Sequence, residues 1–215
     1  MSTASTAVKK TAKFNTLFWV QLGVLVSIML LFEFTGIGFI KLGTVEITIM
    51  MIPVVIGAII GGPLAGGILG GVFGLLSFSE AMFAKSVFGA FVFQLSPVAT
   101  FAMCMIPRIL TGLLAGVIFR ALSKVDKTKL WSFAVSSLSG ALLNTFFFMG
   151  FLVLLFWNNS EFIATMQSWG FATDKLFPFL AAFVGTNGVI EAIVCFVVGA
   201  ALSKALVVFL PKKKD

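Results

Sequence analysis

Histidine and tyrosine are absent from the 215 residues, and charged residues make up only 11%. Without histidine there is no His-containing metal site, no Ser–His dyad and no imidazole proton relay. Cysteine is scarce. Cys104 and Cys195 lie far apart, each inside an apolar run, and read as small buried residues rather than a disulfide framework. There is no G-x-x-x-x-G-K-[ST] loop and no acidic metal-ligand cluster. No metal or cofactor is expected, and ATP hydrolysis is not a reaction this chain performs alone.

What is plentiful is apolar surface. Hydrophobic residues account for 60% of the chain, against about 45–50% in soluble domains, where charged residues reach about 25%. A soluble domain of this size has too little interior to hide that surface, so the expected solvent is lipid. Six spans of about 20 residues consume about 120 residues. The remainder suffices for loops and tails but not for a separate soluble domain.

Apolar stretches cover 16–34, 47–78, 97–122, 131–157 and 176–210. The second carries no charge and is too long for one span. Gly61-Gly62-Pro63 divides it, because proline removes a backbone donor and glycine is free to turn. The expected fold is an all-α integral membrane protein, a six-transmembrane-helix bundle. It forms a single membrane domain over 16–210, between a cytoplasmic tail at 1–15 and a basic cytoplasmic tail at 211–215. Residues 35–46 and 158–175 read as loops. Segment 79–96 places Glu80, Lys85 and Gln94 among aromatics and reads as a surface loop or a short extra span.

Charge chooses between these topologies. With six spans, Lys9, Lys10, Lys13, Arg120, Lys124, Lys127, Lys129, Lys204, Lys212, Lys213 and Lys214 share one side. Lys41, Lys85 and Lys175 face the other, with most of the acids. The positive-inside rule then puts both termini in the cytoplasm. A seventh span at 81–95 would carry the loop holding Lys124, Lys127 and Lys129 outside, so six spans are expected.

Few polar residues fall inside the spans. Arg108 lies about 16 Å along its helix from Pro97, at a depth where arginine costs about 2.5–3.5 kcal/mol on insertion scales. It requires a partner or a wet cavity. Asn187 and Glu191, four apart, share a face of the last span, and Asn144 occupies a similar depth on the fifth. Two readings stay open: a buried Arg108–Glu191 pair that pins helices, or a ligand pocket built from Arg108, Asn144, Asn187 and Glu191. A buried ion pair is a weak source of stability, and a guanidinium matches a carboxylate or phosphate by bidentate hydrogen bonding. Phe39 and Phe93 are candidate covers for such a pocket. The glycines from Gly57 to Gly74 read as close helix packing, and Gly112 and Gly116 continue the Arg108 stripe. Trp19, Trp131, Trp157 and Trp169 fall near the expected interfaces, as an aromatic belt does. Gly23 and Ser27 form a small-x-x-x-small pair that suits contact with another helix, internal or on a partner.

Five ordered segments carry a family likeness: Ile52-Pro53-Val54-Val55-Ile56-Gly57-Ala58, Gly62-Pro63-Leu64-Ala65-Gly66, Pro107-Arg108-Ile109-Leu110-Thr111-Gly112, Gly140-Ala141-Leu142-Leu143-Asn144-Thr145 and Gly185-Thr186-Asn187-Gly188-Val189-Ile190-Glu191. Over nearly the whole chain the sequence resembles the substrate-binding (S) components of energy-coupling-factor vitamin transporters, most of all the pantothenate-type branch. The resemblance implies a multi-pass protein of the bacterial cell membrane that binds its vitamin from outside. It also implies a transmembrane coupling protein and two ATPase subunits as partners, whose ATP hydrolysis drives toppling of the S component. Gly23 and Ser27 stand where relatives carry Ala-x-x-x-Ala for docking to the coupling protein. Pantothenate is then the expected ligand, with its carboxylate on Arg108 and its polar remainder on Asn144, Asn187 and Glu191. Riboflavin or a pyridoxine-like compound is the alternative within the family. A small channel or an intramembrane enzyme is the alternative outside it, and nucleic acid is not an expected partner.

Overall fold

The structure, a computed structural model, describes residues 3–42, 45–126, 130–199, 201 and 205, with side chains at 16–40, 48–126, 131–185, 188, 189, 191–199, 201 and 205. The tail at 211–215, Lys127 and Lys129, and the side chains of Lys9, Lys10, Lys13 and Asn187 lie outside the described residues. Helix α1 spans Thr3–Thr35 and so runs through the stretch expected as a tail. A two-stranded antiparallel hairpin follows, β1 Phe39–Leu42 and β2 Val45–Thr48, with Phe39 opposite Thr48. Then come α2 (Met51–Ile60), α3 (Pro63–Met82), α4 (Val87–Leu95), α5 (Pro97–Leu122), α6 (Leu130–Phe156), α7 (Ser160–Ser168) and α8 (Leu176–Val194). The last helix continues as a wider π-turn over Cys195–Gly199.

Four helical stretches are long and apolar enough to cross a membrane among the described residues: Thr16–Thr35, Pro63–Met82, Pro97–Leu122 and Trp131–Phe156. The other two expected spans differ. Helix α2 is a ten-residue element, about 15 Å long at 1.5 Å per residue, half a hydrocarbon core. Met51 through Ile59 are all buried, so protein and not lipid surrounds it. Within α8, the described apolar stretch is Leu176–Gly185.

The division at Gly61-Gly62-Pro63 falls where the sequence places it. Gly62 has φ +84°, which L side chains rarely adopt, and Pro63 opens α3 where its missing N–H is not needed. Beyond that turn, α3 and α5 pack through a ladder of small residues. A Cβ on Gly66 would collide with the Gly112 carbonyl, on Gly70 with the Arg108 carbonyl, on Gly74 with the Cys104 carbonyl, and on Gly116 with the Pro63 backbone. Steps of four residues on both helices keep the ladder on one face. The backbone that carries Arg108 is therefore fixed against α3.

Segment 79–96 is neither a plain loop nor a span. Helix α3 ends at Met82, and Ala84 adopts φ +53°. The Glu80 carbonyl accepts from the Lys85 and Ser86 amides, closing the turn. The Ser86 hydroxyl then accepts from the Gly89 amide and caps α4. Nine residues make a helix of about 13 Å, too short to cross. Segment 158–175, expected as a loop, contains α7. The Asn159 side chain caps it by accepting from the Glu161 and Phe162 amides, and Phe162 and Met166, one turn apart, are fully buried in an aromatic cluster with Phe156, Phe179 and Phe183. Trp19 and Trp131 are exposed, as an interfacial belt requires. Trp157 and Trp169 pack instead against Phe179 and Phe91.

Candidate functional site

Proline at position 107 decides what Arg108 does. Inside α5 it cannot donate to the carbonyl four residues back, that of Met103. The Arg108 guanidinium fills that gap: Nη1 donates to the Met103 carbonyl at 2.7 Å. Nη2 donates to the Ser77 hydroxyl of α3 at 3.4 Å. The rings of Phe148 on α6 and Phe73 on α3 lie 4.7 and 5.4 Å from Cζ, so the cation sits between two π faces. Arg108 is 7% exposed, and its Nε has no partner. A guanidinium carries five N–H donors, and the two hydrogen bonds leave Nε and one hydrogen on each terminal nitrogen to offer.

Beside the guanidinium lies a cavity of about 120 Å³. Arg108, Asn144 and Glu191 all line it, brought together from α5, α6 and α8. The Asn144 amide donates to Glu191 Oε1 at 3.0 Å, which leaves Asn144 Oδ1 without a partner. No ion pair within 4.0 Å joins Arg108 to Glu191; the ion pairs seen among the described residues belong to Lys85. The helix-pinning alternative thus lacks its central contact. Buried polar groups in proteins are overwhelmingly bonded, and an orphan costs about 1–3 kcal/mol. Arg108 Nε, Asn144 Oδ1 and Thr100 Oγ1 are three such orphans, all on residues that line one cavity.

Several wall residues were not singled out from the sequence. Thr48 arrives from the hairpin, opposite Phe39, and Ser77 and Phe73 come from α3, as does Glu80. Ser86, Phe88 and Val92 come from the turn and α4. A residue period of two over 45–48, with Val, Ile and Thr, is the signal that marks the second strand. Phe39 lines the cavity; Phe93, which packs on Phe78 at 5.7 Å, is not among the lining residues, whereas Phe88 is.

Lys85 sits beside the cavity wall. Its Nζ lies 2.8 Å from Glu33 Oε1 and 3.3 Å from Glu80 Oε1. The hydrogen bond that Lys85 donates to Glu33, reinforced by Glu80 and opposed by partial burial, lifts the ammonium above the ordinary lysine value of 10.5. A raised lysine contributes its stabilisation fully below the unfolded value and loses it as pH rises through the folded one. Lys85 therefore stays charged at any physiological pH. Gly23 and Ser27 lie on the outer face of α1. Both are exposed, and a Cβ on Gly23 would have no neighbour within 4 Å.

A family model for the substrate-specific component of ECF transporters matches residues 18–203. No curated protein matches the chain. The matched stretch takes in the helices from α1 onward, the hairpin and every cavity residue named above, so the chain belongs to the substrate-specific components of ECF transporters, which bind a vitamin-type substrate and work with a membrane coupling protein and ATPases.

Proposed function

We propose that this chain captures pantothenate, with Arg108 receiving its carboxylate and Asn144 and Glu191 its hydroxyl and amide groups. The observation that carries the reading is a buried guanidinium, on a residue that lines a cavity, whose Nε has no protein partner. Its Nε edge matches a carboxylate in two parallel hydrogen bonds. Asn187, on the same helix as Glu191, belongs to this proposal through the sequence alone. An engineered cavity of about 150 Å³ holds benzene, and pantothenate has more than twice as many heavy atoms. The cavity must therefore widen to hold pantothenate or riboflavin, and less for a slim acyclic chain than for the three fused rings of riboflavin. Calorimetry of the purified protein against pantothenate, riboflavin and pyridoxine tests the assignment. Saturable heat is expected with pantothenate alone; saturation by riboflavin or pyridoxine instead would reassign the site.

Six membrane crossings with both termini cytoplasmic, in a bacterial membrane, complete the proposal, with Gly23 and Ser27 as the docking stripe for the coupling protein. Supporting that role, the outer face of α1 also exposes Trp19, Val20, Val24 and Leu31. Gly23→Leu is expected to leave pantothenate affinity within twofold of wild type and to abolish co-purification with the coupling protein and ATPases. Retention of the partners by that variant would move the docking surface elsewhere.

A further inference from the structure

Helices α6 and α8 line a common groove at four-residue steps. On α6 the row contains Leu142, Phe146 and Gly150; on α8 it takes every fourth residue from Leu176 to Phe196. Steps of four keep each row on one helix face. The groove measures about 820 Å³, and Thr145 is the one polar side chain among its described lining residues. It is hollow midway because Gly150, Gly188 and Ala192 bring almost no side chain to it. Twenty steps along α8 span about 30 Å, the thickness of a hydrocarbon core. The two helices approach at the floor, where a Cβ on Gly188 would lie 3.2 Å from Thr145 Cγ2. Thr145, Met149, Val184 and Gly188 border both this groove and the inner cavity, so a single layer of residues parts the two hollows.

We propose that the groove is a phospholipid site, in which one acyl chain lies against the back of the inner cavity and a zwitterionic headgroup meets Lys175 and Asp174. An unfilled apolar groove forfeits dispersion contacts, and water finds almost no hydrogen-bond partners in it. A chain lying there touches two helices at once, where an ordinary lipid-facing helix offers it one. Phe146, Val189 and Ile193 on the banks are exposed. The coupling protein is not the occupant, because its docking stripe is on α1, which packs on α2 and α3. Charge chooses the end for the headgroup. Asp174 and Lys175, both exposed, immediately precede Leu176. The ammonium and phosphate of phosphatidylethanolamine are the complements of that pair. Trp157, packed on Phe179 near the start of α8, marks the same end and the level that aromatic residues take at a membrane interface. The site rests on the six-crossing reading, which puts α8 in lipid, and not on which vitamin is bound.

The full chain is reconstituted in vesicles of phosphatidylethanolamine and phosphatidylglycerol with a phosphatidylethanolamine probe that carries a diazirine on one acyl chain. After irradiation, crosslinked peptides are mapped by mass spectrometry. Crosslinks within 138–153 and 176–196 are expected to exceed those on the exposed faces of α1 and α3 fivefold or more. Gly150→Trp, placed where an added Cβ meets nothing within 4 Å, is expected to fill the groove and remove that excess while the other helices keep their labelling. Lys175→Ala and Asp174→Ala are expected to lower labelling by this probe threefold or more and to leave that by a matching diacylglycerol, which has no headgroup phosphate, unchanged. Even labelling of every lipid-facing helix, or an excess that survives Gly150→Trp, overturns the site. So does an excess that emerges only when the protein is diluted in the vesicle, which assigns the groove to a second copy. Absence of any label on α8 overturns the site together with the crossing by α8, and no outcome bears on the pantothenate assignment.

Discussion

Replacing Arg108 with alanine is expected to weaken pantothenate binding by at least about 30-fold, from the ~2 kcal/mol or more lost when one member of a buried, hydrogen-bonded charge pair is removed. The loss alone does not identify the contact, because Arg108 also holds the fold. Its Nη1 bond satisfies the Met103 carbonyl left free by Pro107, and truncation orphans that carbonyl at a cost of about 1 kcal/mol or more. Pantothenol, in which a hydroxymethyl group replaces the carboxylate, separates the two roles. Wild-type protein is expected to favour pantothenate over pantothenol by roughly tenfold to a hundredfold, the range of about 1.5–3 kcal/mol for a hydrogen bond to a charged group. The Arg108→Ala variant is expected to bind the two alike. Calorimetry with both ligands on both proteins closes the cycle. Equal weakening of pantothenate and pantothenol would make Arg108 a structural brace and the carboxylate assignment wrong. Arg108→Lys is expected to fall between, since an ammonium has no planar fork with which to serve the Met103 carbonyl and a carboxylate together.

The elements legible in the sequence are those governed by one solvent rule. Long apolar runs declare helices in lipid, and α3, α5 and α6 fall where those runs lie. The break at Gly61-Gly62-Pro63 was legible because a positive φ and a missing donor are local properties of those residues. Arg108 stood out because a lone cation in an apolar helix is expensive wherever the neighbours are. Its convergence with Asn144 and Glu191 followed from depth along the helices. The hairpin, α4 and α7 were not legible as such, because each is short and stabilised by what it packs on. Phe162 and Met166 read as scattered apolar residues until the aromatic cluster beneath them is known. Ser77 is an ordinary helix serine until the Arg108 guanidinium reaches across from α5. The Arg108–Glu191 pairing suggested by opposite charge failed for a similar reason. A backbone carbonyl freed by Pro107 lay closer to the guanidinium than the acid did.

Two adjacent glycines of α3 are expected to answer the same substitution in opposite directions. Gly70→Ala places a methyl group against the Arg108 carbonyl, a backbone atom that moves only with the whole of α5. Overpacking where side chains can yield costs about 1–3 kcal/mol; here the helices themselves must part, so a loss at the upper end, about 3 kcal/mol, is expected. Separation also forfeits contacts along the neighbouring rungs, since Gly66 meets Gly112 and Gly74 meets Cys104 on the same face. At Gly71 the added methyl lies 3.7 Å from Ile109 Cγ1, an ordinary contact. That substitution removes the entropic cost of a glycine inside a helix, worth about 0.5–1 kcal/mol, so Gly71→Ala is expected to leave stability unchanged or raise it slightly. Thermal unfolding of the detergent-purified variants measures both. The pair also separates packing from binding. Because the carbonyl struck by residue 70 belongs to Arg108, Gly70→Ala is expected to reduce pantothenate affinity as it reduces stability, whereas Gly71→Ala leaves affinity intact. Equal melting temperatures for the two variants would mean that α3 and α5 are not held backbone to backbone, and the fixed placement of the guanidinium would need another cause.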